Sequence, residues 1–258
     1  MADAPISRAY IDNFVQQLSD LDQIGRSALE DALSRTDLGN PNRVKAIMRV
    51  HCNTSAEAAA QLASQFYRGM SLLQTGQDVD VRAFSGWDGT ATDVATDAIL
   101  AKAEGDDARA IQGLLDRQSY ELNRASKRSV YRNGQADGRE VRYARVPSGA
   151  ETCAWCLMTA GLGFWFMTEE SASHTHRGCD CVIVPSIGRG DVKIDGYDST
   201  VYRDMWRRAN GMRVNGELPQ EWAEHIEEMQ ARREGQGRDY RVDTNGTLYV
   251  MRKLYGLK

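Results

Sequence analysis

Apolar residues recur every three or four positions through the first 135 residues, and that spacing predicts a helical N-terminal half. Tyr10, Phe14, Leu18 and Leu21 form the first stripe, with Ser7 placed to cap its start. Leu38-Gly39-Asn40-Pro41 interrupts the pattern. Pro41 then suits the first turn of a short helix carrying Val44, Ile47 and Met48. Thr54-Ser55-Ala56-Glu57 reads as a capping box that opens a further helix. That helix carries Leu62, Phe66, Met70 and Leu73 on one face, while Ala58, Ala59, Ala60 and Ala63 would let a neighbouring helix approach closely. Residues 75–91, rich in Gly, Asp and Thr, predict a long loop. Helices near 92–104 and 106–133 follow. The second places Ile111, Leu115, Leu122 and Ala125 on one stripe and has few apolar residues toward its end, so it is expected to project from the core or pack on a partner. Asn133-Gly134 and Asp137-Gly138 supply its stop signals.

The pattern changes at residue 139. Val141 and Tyr143 alternate with charged residues as in a strand, and Phe164-Trp165-Phe166 and Val182-Ile183-Val184-Pro185 are further strand candidates. Gly188-Arg189-Gly190-Asp191 and Asp195-Gly196 read as turns. Val201 to Asn210 predicts a helix, and Pro219 starts another with Trp222, Ile226 and Met229 on its buried face. In the tail, Tyr240–Thr244 and Thr247–Met251 flank Asn245-Gly246, which predicts a β-hairpin. The expected fold class is α+β, mainly α. A helical docking region over 1–138 precedes a small α+β module over 139–258 that ends in the hairpin.

A chain of 258 residues can bury a sizeable core. A net charge of −4 gives no general reason to expect nucleic-acid binding. The local exception runs from Arg124 to Arg145, with seven Arg or Lys against Asp137 and Glu140; it reads as the solvated face of a helix. No run of about 18 apolar residues exists, so no membrane span is expected. The first residues lack the basic and apolar regions of a secretory signal. A reducing environment is therefore expected, in which clustered cysteines are metal ligands before they are disulfides.

Four of the five cysteines lie within 29 residues. Cys153-x2-Cys156 is followed by His176-x2-Cys179-x-Cys181, which offers five candidates for the four places of a tetrahedral site, most often zinc. Cys153, Cys156, His176 and Cys181 are the preferred set. Cys179 rivals Cys181, and both could bind, since alternate residues of an extended segment share a face. His174 could replace His176. With no open coordination position evident, the site reads as structural. Cys52 stands apart and reads as a buried small hydrophobe. Glu169-Glu170 reads as a solvated helix start, since adjacent carboxylates seldom aim at one point. His225 reads as a surface histidine, Trp155 and Trp165 as core, and Arg189-Gly190-Asp191 as a chance tripeptide.

The stretch Arg145-Val-Pro-Ser-Gly149, the two Cys/His elements and Val182-Ile-Val-Pro185 together resemble the MuF-like minor capsid, or head-morphogenesis, proteins of tailed phages, most of all versions from phages of actinobacteria. Many relatives carry Pro after the histidine and Arg between the last two cysteines; here Arg177 and Asp180 stand there. The resemblance implies a structural protein inside the phage head, associated with the portal and acting in head assembly or in DNA packaging and delivery. It implies a structural zinc ion, and as partners the portal or other capsid proteins, with packaged DNA as a further candidate. The expected location is the virion interior, and the host cytoplasm during assembly. Some relatives are fused to ADP-ribosyltransferases, but no Arg…Ser-Thr-Ser…Glu-x-Glu pattern is found, so no enzymatic activity is expected. The competing readings are a zinc-supported nucleic-acid-binding protein or nuclease and an ADP-ribosyltransferase-like toxin.

Overall fold

The computed structural model describes residues 5–148, 152–176, 181–188, 190–237 and 241–257. Its first half is four helices. α1 (Arg8–Ser34) starts after Ser7, whose side chain makes no capping bond. α2 (Pro41–Thr75) is capped by Asn40, which accepts from the Arg43 N–H, and has Pro41 in its first turn. Residues 41–75 thus form one helix, and Thr54–Glu57 opens nothing. The buried stripe Val44, Met48, Cys52, Ser55, Ala59 runs through that tetrapeptide with no Gly or Pro to break it. α3 (Gly89–Ala103) begins three residues earlier than the spacing suggested because Asp88 accepts from the Thr90 and Ala91 N–H groups. α4 (Asp107–Ala136) is capped by Asp106.

α4 does not project. It lies along α2, and its later turns are buried through polar side chains, which is why an apolar count misjudged it. Gln118 Nε2 donates to Ser55 Oγ at 2.9 Å, and Ser129 Oγ donates to the Ala60 carbonyl at 2.8 Å. Glu121 is buried between Arg117 and Arg124. The small residues Ala56, Ala60 and Ala125 meet where the two helices approach, as the alanine-rich face of α2 suggested. Residues 76–88 cross α4 as a strap: Phe84 N donates to Ser129 Oγ at 3.3 Å, and the Gly86 carbonyl accepts from Arg124.

Asn133-Gly134 does not end α4; Asp137 and Gly138 do, the latter with φ of 79°. Gly134 instead makes room for Tyr143, since a Cβ there would lie 1.9 Å from the Tyr143 hydroxyl oxygen. That hydroxyl donates to the Tyr131 carbonyl at 2.9 Å.

β1 (Val141–Val146) and β2 (Val182–Ile187) form a two-stranded antiparallel sheet in which Tyr143 faces Pro185 and Arg145 faces Ile183. Phe164–Phe166 contributes only a single bridge, Tyr143 to Phe166. Two short helices, α5 (Ala154–Ala160) and α6 (Glu169–Ser173), lie between the strands in sequence. One apolar cluster joins Phe14, Phe66 and Leu122 of the helices to Tyr143, Val146, Val182 and Ile183 of the sheet, on both sides of residue 138. Phe14 and Phe66 stack in it with centroids 4.2 Å apart. Ile6 ties the N-terminal segment to the chain after β2, donating to the Lys193 carbonyl at 2.8 Å.

α7 (Ser199–Val214), α8 (Gln220–Glu234) and α9 (Val242–Tyr255) follow. The expected tail hairpin is absent: residues 242–255 are helical. Leu248, Val250 and Met251 are buried with Ala154, Ala209 and Ile226, a packing that needs helical spacing. Gly246 is not a turn residue but a close approach, with Arg213 Cδ 3.2 Å and Ile226 Cγ2 3.4 Å from where a Cβ would stand. The fold is α+β and mainly α, with a small antiparallel sheet and a helical C-terminus. Among the described residues, no helix is long and apolar enough to cross a membrane.

Candidate metal centre

Cys153 occupies the N-cap of α5 with extended backbone, and its Sγ accepts from the Cys156 N–H at 3.3 Å. The two-residue spacing thus folds as a helix start that turns both sulfurs the same way. Cys156 sits in the first turn, fully buried. His176 arrives from the segment after α6, whose own start is capped by Thr168. Its Nε2 lies 3.4 Å from Cys153 Sγ and 3.5 Å from Cys156 Sγ.

One ring nitrogen thus faces two sulfurs. A single N–H cannot point at both, whereas an ion between the three atoms would satisfy all of them. A tetrahedral ion bound at about 2.3 Å by sulfur and about 2.0–2.1 Å by nitrogen sets such atoms about 3.6 Å apart. The three ligand atoms lie within 4.8 Å of one another. Cys153, Cys156 and His176 can therefore hold a metal ion. The Cys156 hydrogen bond and the nearby His176 hold the Cys153 thiol down at about 4, against the opposing effect of burial. A thiolate at neutral pH is the form a metal binds.

Cys181 ends the segment leading into β2 and is buried in one small cluster with Cys156, beside Cys153 and Trp155. Its sulfur is not among the atoms mutually within 4.8 Å. Cys179 lies outside the described residues. His174 does not join the group; its ring packs on Trp155 with centroids 4.9 Å apart. Trp155 also meets His176 edge-on at 5.5 Å, so this indole covers the histidine side of the centre. No disulfide joins the described cysteines, Cys52 included. Burial, helped by Glu121, pushes the Cys52 thiol up to about 12, which suits the apolar role expected of it.

Sequence spacing gave no reason to attach Arg145 to this centre. Its side chain is completely buried and donates from Nη1 to Cys181 Sγ at 3.3 Å. Nη2 donates to the Ser171 and His174 carbonyls at 3.2 and 2.6 Å. The available signals were its place in the Arg145–Gly149 stretch that accompanies the Cys/His elements and an arginine within an otherwise apolar strand face.

The remaining candidates are accounted for by ordinary contacts. Glu169 opens α6 and pairs with Arg132 at 2.7 Å and Arg128 at 3.4 Å, while Glu170 is exposed. His225 is exposed and stacks on Tyr249. Trp165, expected in the core, is 74% exposed. Asp191 pairs with Arg142, and Arg189 lies outside the described residues.

The VG15 protein family matches residues 5–209, a span that holds α1–α6, the sheet and the metal-ligand group. The chain belongs to this family. It is thus a phage protein, and α8 and α9 lie beyond the matched span. No curated protein and no solved structure matches the chain.

Proposed function

We propose that this VG15 family member is a structural minor capsid protein of a tailed phage, MuF-like, held inside the head beside the portal and acting in head assembly or in DNA packaging and delivery. The observation that carries the reading is the Cys153, Cys156 and His176 group, which lies within the matched family span and closes the segment between the two strands. In this reading the ion is zinc and its work is structural. It staples a small module whose two strands alone would be marginal. The helical half docks on the portal or another capsid protein through its exposed faces, and the protein acts without catalysis.

The alternative of a nucleic-acid binder or nuclease drew on the basic run from Arg124 to Arg145. The structure gives these side chains intramolecular partners. Arg124 pairs with Glu121, Arg128 and Arg132 with Glu169, Arg139 with Asp137, and Arg142 with Glu140 and Asp191. Lys127 and Arg145 are buried. A phosphate backbone would have to compete with these pairs, which favours the structural reading. The toxin alternative came from relatives fused to ADP-ribosyltransferases; here the Glu169 carboxylate is engaged by Arg128 and Arg132.

The test is fractionation of infected cells on a density gradient. The protein is expected in procapsids and mature heads, and with portal protein in pull-downs from cells lacking the major capsid protein. Its absence from both particle types overturns the proposal.

A further inference from the structure

Arg145 poses a charge problem. A guanidinium carries a permanent positive charge, and burying one is costly unless it is paired. Among the described residues no carboxylate pairs with Arg145. Its neighbours are two carbonyls, one sulfur and two aromatic faces, Trp155 at 4.9 Å and Phe166 at 5.6 Å from the guanidinium carbon. Its Nε has no hydrogen-bond partner.

The sheet brings the two residues together. Arg145 stands opposite Ile183, and Cys181 immediately precedes β2, where its sulfur accepts from Arg145 Nη1 at 3.3 Å. Cys181 also packs on Cys156. A divalent ion held by two thiolates and a neutral imidazole has no net charge. A third thiolate makes the complex anionic by one unit, which one buried guanidinium offsets.

We propose that Arg145 is the built-in counter-cation of the metal centre, and that the sulfur it binds, Cys181, which stands outside the three atoms lying within 4.8 Å of one another, moves in to complete a three-thiolate, one-histidine shell when a divalent ion binds. This rests on the metal-binding reading above. Arg145 is a positioning residue: it aims the Cys181 sulfur and favours a ligand set with one excess negative charge. The ring faces of Trp155 and Phe166 both lie against the guanidinium.

The experiment is cobalt(II) loading of the full chain, read by the thiolate-to-cobalt charge-transfer band, together with zinc affinity measured by chelator competition. Wild-type protein that binds neither ion overturns the metal reading itself. In protein that binds, Arg145→Met is expected to weaken zinc by about ten- to a hundred-fold, the usual effect of losing a partner of a metal ligand. It is also expected to move the charge-transfer band to lower energy, because the sulfur loses an N–H donor. Unchanged affinity and an unchanged band overturn the Arg145 proposal while leaving metal binding intact. Cys181→Ser gives a second reading should Arg145→Met not fold. Charge-transfer intensity per cobalt is expected to fall by about a third as three thiolates become two, and undiminished intensity overturns the three-thiolate shell.

Discussion

Asn133 grips Arg82 by its backbone from both ends: Oδ1 accepts from the Arg82 N–H at 2.9 Å, and Nδ2 donates to the Arg82 carbonyl at 2.8 Å. This pair fastens the strap over α4 at its midpoint. Asn133→Leu leaves the Arg82 N–H without its partner and the Arg82 carbonyl with only the 3.5 Å contact from Ser129 Oγ, an unmet buried group costing about 1–3 kcal/mol. A loss of about 2 kcal/mol in denaturant unfolding is predicted. Asn133→Asp keeps the acceptor but sets a buried carboxylate oxygen against the Arg82 and Ser129 carbonyls, so it should lose at least as much. Equal stability of Asn133→Leu and wild type would remove the strap from the account.

Gly134→Ala tests the approach of Tyr143 to α4. Alanine ordinarily stabilises a helix interior by about 1 kcal/mol relative to glycine. Here the added methyl would meet the Tyr143 hydroxyl, so the sign should reverse to a loss of about 1–3 kcal/mol. Tyr143→Phe in the same chain removes the nearest atom and should recover part of that loss. A double mutant no more stable than Gly134→Ala alone would count against steric conflict as the cause.

Asp137, half-buried at the end of α4, accepts from the Tyr67 hydroxyl at 2.7 Å and pairs with Arg139. Burial by itself would push its carboxyl up, but the Arg139 guanidinium and the Tyr67 hydroxyl prevail and hold it below the usual carboxylate range. A depressed folded-state pKa stabilises above the unfolded value near 4, and the benefit is lost as pH falls through the folded value. Asp137→Asn should therefore cost about 2 kcal/mol at pH 7, a value kept modest because Arg139 remains partly in water. The gap to wild type should narrow below about pH 4. A pH-independent difference between the two proteins would show that ionisation of Asp137 is not the source.

Cys153→Ser and Cys156→Ser are each expected to abolish stoichiometric zinc retention. The helical far-ultraviolet signal should largely persist, since α1–α4 have an apolar cluster of their own around Leu29, Val44, Met48 and Leu114. Chelation of wild-type protein is expected to shift tryptophan fluorescence in the same direction as these substitutions, through Trp155 beside the centre. Collapse of the whole helical signal on chelation would show that the ion supports more than its own module.

The helices of the first half could be read from spacing because their cores are apolar stripes. The errors have a common physical origin, in that each local signal was overruled by a tertiary contact. Thr54–Glu57 has capping-box letters, but Cys52, Ser55 and Ala56 are all buried along one uninterrupted helix. Asn245-Gly246 has hairpin letters, but Gly246 serves the approach of α9 to Arg213 and Ile226. The polar half of α4 is buried because Gln118, Ser129 and Asn133 find partners there, which no hydrophobicity pattern records. At the site, the C-x2-C spacing marked Cys153 and Cys156 directly. The choice of His176 over His174 depended on the fold, which brings His176 to the two sulfurs and packs the His174 ring on Trp155. Arg145 stood in the family stretch, but its role at the site could not be read there, because its contact with Cys181 is made only by the fold.

The pairing of β1 with β2 also orders events during synthesis. A ribosome releases β1 well before β2, because α5 and α6 lie between them. Until Val182–Ile187 emerges, β1 has an open edge and Phe14, Phe66 and Val146 lack part of their cover. The newborn chain therefore passes through a stage with a sticky apolar surface, and β2 closes it only after every candidate metal ligand has left the ribosome. Host chaperones that shield exposed strands have this interval in which to act, and a stop codon placed just before Val182 would leave a polypeptide prone to aggregate however well its helices form.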